Sequence, residues 1–479
     1  MTVLKHGVIL PILAGLFGFA PAAIAQLAGT FTAVGNMTTA RVFHTATLLQ
    51  DGRVLIAGGF DDDRAVEAVA SAELYDPSTG KFTGTGNMNT SRAQHTATLL
   101  PNGTVLIAGG DGAPASAELY DPSTGTFSVT GTMNTPRLGH TATLLPDGRV
   151  LIAAGYRGSS STNSAELYDP STGTFTPTRS LYTAPYGLTT ATLLPDGRVL
   201  ITEGSEAEAE LYDPRTATFS KTSPRIPWIQ GSAALLMNGK VLLAGGNDDP
   251  GESAFAEVYD PSTGTFTPTG NMTVSRADDP ATLLSDGTIL IAGSNGDAGV
   301  TLASAELYDP VTGTFTRTGD MTADRGLHTA TLLNNGKVLI AGGIHHVGYT
   351  WPPLSSADLY TPASVIPAPV LFSLSGDPGG QGAIWHSTTG EIASAGNPAV
   401  AGEALSMYTN NLMDGAVIPP QVIVGGRLAE ILYFGAAPDY PGYYQVNFRV
   451  PTGVAPAAAV PVGLNYIGRA SNAVTIGVR

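Results

Sequence analysis

The chain has 479 residues, 43% hydrophobic and 13% charged, the composition of a globular protein long enough for two or three domains. Fifty-nine glycines and thirty-four prolines exclude a mainly helical protein, and the absence of cysteine excludes disulfides, so stability must come from burial and sheet hydrogen bonding. A formal net charge of −16 repels phosphate backbones and anionic lipid, which argues against nucleic acid and membrane surfaces as partners.

Residues 1–25 combine Lys5, an apolar stretch from Gly7 to Phe19 and the small-residue triplet Ala23-Ile24-Ala25 before Gln26. This pattern predicts a cleavable secretory signal. The apolar stretch is shorter than the ~20 residues of a membrane-spanning helix, so the expected product is secreted, periplasmic or held at the cell surface without membrane insertion.

A repeat follows. "HTATLLQDGRVLIAGG", "HTATLLPNGTVLIAGG", "HTATLLPDGRVLIAAG", "TTATLLPDGRVLITEG", "GSAALLMNGKVLLAGG", "DPATLLSDGTILIAGS" and "HTATLLNNGKVLIAGG" are seven copies of one unit, each followed by a segment of the "SAELYDPSTGTFT" type. The Asp of that second segment stands at 76, 121, 169, 213, 260 and 309, with Thr361 in the seventh place. Each unit holds four short alternating or β-branched runs, which read as half-buried strands. Between them, "PDGR" supplies a hairpin turn, and "DPSTG" supplies an Asp cap, a Pro that fixes φ and a Gly for positive φ. Four antiparallel strands repeated at this period describe a β-propeller blade.

Six units end in a strand carrying Phe82, Phe127, Phe175, Phe219, Phe266 or Phe315, and the seventh lacks one. "AGTFTAVGNM" with Phe31 supplies it from the other end of the chain, leaving no open edge between first and last blades. The run "VLIAGG", "ELYDPSTGTFT", "GNMNTSRAQH" resembles the Kelch motif, over roughly residues 28 to 362. The aromatic that is usually Trp in that family is Phe here.

After the linker 363–369, "PQVIVGGRLAEILYFG", "YYQVNFRVP" and "AVPVGLNYIGRASNAVTIGV" predict a small antiparallel sandwich over 370–479. In "GQGAIWHSTTGEIASAGNPA" and "GYYQVNFRVPTG" this segment resembles a C-terminal immunoglobulin-like module of secreted bacterial, notably acidobacterial, proteins. The expected fold is thus all-β: a seven-bladed Kelch-type propeller over 26–362 followed by an immunoglobulin-like β-sandwich.

In Kelch-like blades the strand after the His is innermost, so the loops before it and after the double glycine share one face. Four blades carry the pairs Arg41/His44, Arg92/His95, Arg137/His140 and Arg325/His328. Equal recurrence favours structural ties over a catalytic site, which needs one asymmetric constellation. Asymmetry falls elsewhere: Tyr186 and Thr189 replace the pair in the fourth blade, Trp228 and Gly231 in the fifth, and the sixth has Arg276 with Asp279. Tyr156, Tyr186, Trp228, Arg276, Asp279 and Trp351 form the expected ligand-binding set, suited to a sugar or a peptide; the loop from Ile344 to Ser355 that carries Trp351 has packing against the C-terminal module as its other expected role.

The acidic loops at Asp61–Asp63 and Asn247–Glu252 match no calcium-loop spacing, and adjacent His345 and His346 point opposite ways on a strand. No metal, cofactor or catalytic residue is assigned. Copper radical oxidases of the galactose oxidase type have a similar layout, and the resemblance implies a tyrosine crosslinked to cysteine, which this chain lacks. The sequence reading is a secreted binding protein presenting variable loops to a protein or glycan, with a carbohydrate-active enzyme of lyase or epimerase type as the alternative.

Overall fold

The computed structural model of the chain describes residues 29–64, 67–185, 189–203, 208–225, 231–248, 251–294, 300–348, 350–413, 417–438 and 440–479. Among these there is no helix. Seven four-stranded antiparallel sheets, six of them in chain order, are arranged as a ring. In the third blade the strands are Thr141–Leu144, Val150–Ala153, Ala165–Asp169 and Thr174–Pro177. The first strand of each blade touches the first strand of both neighbours, from Thr45–Leu48 round to Thr329–Leu332 and back, so these seven strands wall the central channel.

The second strand reads as a continuous apolar run because both its faces are covered. Val54 and Ile56 of the first blade pack with Leu339 and Ala341 of the seventh, while Leu55 and Ala57 pack with Val105 and Ile107 of the second. Period-two alternation therefore chooses between two neighbours, not between core and water. In every blade the third-strand Tyr meets the fourth-strand Phe at ring-centroid distances of 4.7–4.9 Å, which shows how Phe fills the place of the larger aromatic. The Tyr hydroxyl then reaches the preceding blade: Tyr120 to Thr85 at 2.9 Å, Tyr168 to Thr130 at 3.0 Å and Tyr308 to Thr269 at 2.9 Å.

The seventh blade is completed from the start of the chain. Thr30–Ala33 pairs with Ala357–Thr361, with Phe31 opposite Tyr360. Beyond the propeller, eight strands curl around one core that includes Leu405, Met407, Val422, Val446, Phe448, Val462, Leu464 and Ile476. The layers of the expected sandwich are bridged into one sheet by Arg427–Ala436. Its first part pairs with Gln421–Val424 and its later part with Tyr444–Arg449, across a register break between Ile431 and Tyr433.

This module sits on the face of the ring formed by the Asp-Gly and Asn-Gly hairpins. Val417 donates to Met237 O at 3.1 Å, Ala368 to Asn334 O at 3.2 Å and Ala470 to Asn334 Oδ1 at 3.0 Å. Met237, Leu283 and Met413 pack into the module's core. A crevice of about 1240 Å³ follows the seam, between Leu193, Pro195 and Arg215 of the ring and Val417, Leu432 and Phe434 of the module. The hairpin face is thereby covered, and the opposite face, at the double glycines, is left open.

Removing the closing strand should leave the seventh blade with an unpaired edge strand. A chain starting at residue 35 is expected to melt roughly 10 °C or more below the full ring and to unfold less cooperatively, as read by circular dichroism.

Candidate functional site

The open face is built from the repeat pair and what surrounds it. Each repeat Arg is buried in its own blade. Arg137 donates through Nη1 to Ala154 O at 2.8 Å and Ser164 O at 2.9 Å, and through Nη2 to Ser164 Oγ and Glu166 Oε1 at 2.9 and 3.1 Å. The same ion pair recurs as Arg41–Glu73, Arg92–Glu118 and Arg325–Asp358, at 2.9–3.2 Å. The carboxylate is shared with backbone: Glu118 also accepts from the amides of Asn89 and Thr90. Burial pushes the Glu118 carboxyl up, but these hydrogen bonds and Arg92 outweigh it and hold it below the usual range. The cost of burying the pair is offset by these backbone and hydroxyl partners, although Arg92 Nε and Arg325 Nε are left without one.

The histidines tie blade to blade. His44 shares a hydrogen bond with Thr329 at 3.2 Å, His95 with Thr45 at 3.0 Å and His140 with Thr96 at 2.9 Å, each on the preceding blade's inner strand. Burial, reinforced by the neighbouring Arg charge, lowers all four repeat histidines to about 3. They are neutral ties near pH 7. In the sixth blade Pro280 stands at the Thr position, so His328 has no hydroxyl to meet; its Nδ1 lies 3.9 Å from Asp279 Oδ1.

The double glycine explains how blades approach so closely. A Cβ on Gly58 would lie 2.3 Å from Arg92 O and 2.7 Å from His95 Cε1, and one on Gly109 would lie 2.8 Å from His140 Cε1. The first glycine is replaced only at Ala154 and Glu203, and each of these precedes a blade whose His is gone, with Thr189 or Gly231 in its place. Where the glycine is lost the His is lost too, but not the reverse: Gly245 precedes Asp279 and is kept, because a Cβ there would stand 2.4 Å from Arg276 O.

Arg276 follows the repeat. It is 1% exposed, and bound to Glu306 at 3.2 Å, so it faces the blade interior and not a ligand. Asp279 is 5% exposed, in the wall between the sixth and seventh blades. Tyr186 and Trp228 lie outside the described residues. Tyr156 is half-buried on the open face beside Gly139. Trp351 also lies on the open face, stacked on His346 at 4.6 Å and packed against the cluster of Val42, Phe60 and Ile344. The expectation that its loop packs against the C-terminal module is corrected, since that module covers the other face.

Two features of this face do not follow from the broken repeat. The residue before the His position has positive φ wherever it is described: Phe43, Gln94, Gly139, Asp278 and Leu327, at 53–64°. These residues line the described part of the channel mouth, with Gly139 N donating to Gln94 O at 2.9 Å and Gln94 N to Phe43 O at 3.0 Å. Non-glycine residues are uncommon in this conformation, and strain of this kind clusters at sites of function. The other feature is an oriented pair. His345 Nδ1 is 2.9 Å from Asp324, which also accepts from the Thr301 hydroxyl, while Thr301 Oγ1 accepts from the His346 amide at 3.1 Å. Burial raises Asp324, but the Thr301 and His345 hydrogen bonds outweigh it and hold the carboxyl below its ordinary value. Both side chains are about one-third exposed, at 35% and 32%, and Nδ1 engaged with Asp324 leaves Nε2 available.

The fold is that of a seven-bladed β-propeller. The profile of the Kelch motif matches residues 137–181. Among solved structures the chain is similar to a "novel fungal alcohol oxidase with catalytic diversity among the AA5 family, in complex with copper". The TM-score is 0.63 at 17% identity, over 94% of this chain and 99% of that one. It is also similar to the structure of YjhT, with a TM-score of 0.45 at 14% identity, over 59% of this chain and 99% of that one. No curated protein matches the chain. At these identities the likeness is one of fold. A copper centre of the oxidase kind does not fit these residues: there is no cysteine to crosslink, and the described residues hold no group of three or more His, Cys, Asp or Glu placed to share an ion.

Two outcomes test the ties. Stability from the four neutral histidines is complete above their unfolded value near 6.5 and is lost as pH falls toward 3, because only the unfolded chain takes up the protons. The urea midpoint should drop between pH 6.5 and 5, and His140→Ala, less stable at pH 7, should flatten that drop. Gly109→Ala should cost about 2 kcal/mol or more in denaturant unfolding, and less in the His140→Ala background.

Proposed function

We propose that the chain is a secreted binding protein that holds a protein segment or a glycan at the open mouth of its propeller. The observation that carries this reading is the strained ring around that mouth. The backbone conformation repeats from blade to blade while the side chains do not: Phe43 and Leu327 are apolar, Gln94 and Asp278 polar. A rigid scaffold with variable side chains at one concave end is how recognition is built on a repeat fold. Phe43, Leu327 and Trp351 adjoin one apolar cluster, which gives a ligand an apolar anchor on the side of the first and seventh blades. Asp278, half-buried and already partnered, puts a polar side chain on the side of the sixth.

A second reading, a carbohydrate-active enzyme of lyase or epimerase type, is favoured by the Asp324–His345 pair, whose geometry suits a general base. It lies beside Trp351 and His346, so a sugar stacked there would be within its neighbourhood.

The test of binding combines a glycan array with capture of partners from culture medium, using Phe43→Ala, Trp351→Ala and Asp278→Asn variants. Binding is expected to weaken about tenfold for each aromatic with the melting temperature changed by only a few degrees. Binding that is indifferent to all three sinks the mouth as the site. For the second reading, polyuronates and neutral glycans are incubated with the protein, and the products are read by mass spectrometry for elimination and by proton NMR for epimerisation, which leaves the mass unchanged. A product lost in His345→Ala is the expected result, and none at all leaves binding alone.

A further inference from the structure

The geometry points to a second binding site, for a neutral oligosaccharide, on the outer face of the C-terminal sheet. Alternation fixes which side chains reach that face. In Ala404–Thr409, Leu405 and Met407 go to the core, so Ser406 and Tyr408 face out; in Tyr444–Arg449, Val446 and Phe448 go inward, so Gln445, Asn447 and Arg449 face out. Register then sets them side by side. Trp385 is opposite Ser406, Tyr408 opposite Gln445, and Tyr433 of the bulged strand opposite Asn447.

The result is a row of rings with amides between them. Trp385 and Tyr408 meet at 5.5 Å and 70°, Tyr408 and Tyr440 at 5.8 Å, and Phe372 and Tyr443 at 5.6 Å. Tyr440 is 58% exposed and Tyr433 and Tyr443 each 45%, which is unusual for rings that have a core next to them. Tyr433 lies down over Gly435, where a Cβ would stand 2.8 Å from its hydroxyl. Gln445 donates to Asn447 at 2.9 Å, and Ser387 and Ser406 share a hydrogen bond at 2.8 Å.

The chemistry selects the occupant. Sugar rings offer C–H faces for stacking and rows of hydroxyls that both donate and accept, which amides and serine hydroxyls match. A protein partner is matched instead by a contiguous apolar centre, and here polar groups separate the rings. The charges named on this face, Arg449 and Glu430, neutralise each other at 2.8 Å, and the chain is acidic overall, so a polyanion gains nothing. From Trp385 to Tyr433 the row crosses four strands, roughly 14 Å at the usual strand spacing, room for a short linear oligosaccharide. The site is on the other module from the propeller mouth and stands independently of it.

The experiment is calorimetric titration of the whole chain with hexamers of cellulose, xylan, mannan and chitin, and with an alginate hexamer as the acidic probe. At least one neutral hexamer is expected to bind. Trp385→Ala, Tyr408→Ala and the fully surface variant Tyr440→Ala should each weaken it about tenfold, while Trp351→Ala on the propeller changes it less than about twofold. Should Trp385→Ala lower the melting temperature, Tyr440→Ala and Gln445→Ala carry the test. No neutral hexamer binding, binding of alginate alone, or binding equal in the Tyr408→Ala/Tyr440→Ala double variant overturns the proposal.

Discussion

Everything in the ring depends on how closely one blade can approach the next at the double glycine. The carbonyl of each repeat Arg and the edge of the following His occupy space that a methyl group would fill. That contact seats the His against the preceding blade, where it meets a Thr hydroxyl, and holds the Arg above its own carboxylate. A polar cluster this far from water is costly unless complete. Most of that cost is met within the repeat: the glycine makes room, the His fills it, and the Arg ties the loop behind it to the blade, although the Nδ1 atoms of the four histidines are left without a hydrogen-bond partner.

The architecture was legible because it is said seven times. A single "VLIA" run is ambiguous between strand and buried helix, but seven of them, each bracketed by Asp-Gly and Gly-Gly, are not. The missing seventh Phe strand and the spare strand at Phe31 likewise point to each other without coordinates. The candidate site was less legible. Arg276 drew attention because its neighbour Asp279 breaks the pattern, yet its own environment is the ordinary one, a carboxylate in the same blade. Asp324, Thr301 and His345 come from different loops, and no spacing along the chain announces that they meet. The mouth ring did leave a trace, since the residue before His is Phe, Gln, Gly or Leu inside an otherwise constant frame. Its positive φ is a property of the backbone that residue type alone does not reveal, except at Gly139.

The two modules divide the ring's faces between them. The hairpin face is uniform from blade to blade, all Asp-Gly or Asn-Gly turns, and it is the one the C-terminal sheet covers. The double-glycine face carries the loops of unequal length and remains open. Uniform turns present a regular platform against which a second module can pack, whereas unequal loops generate shape. Recognition surfaces are thus proposed on the open mouth and on the C-terminal sheet, where the end of the row at Tyr433 reaches the crevice at the seam.

The seventh blade imposes an order on folding. Thr30 is made before the first blade, and its partner Thr361 emerges only after six blades have been synthesised. Local hairpins form early, while this pairing has to wait for nearly the whole ring, and contacts so distant along the chain are the slow ones. Until then the Ala357–Thr361 edge is exposed and able to capture the matching strand of another copy. Closure is therefore the step at which this protein is most open to dimerisation by strand exchange, and the acidic surface, which keeps copies apart, works in its favour at that moment.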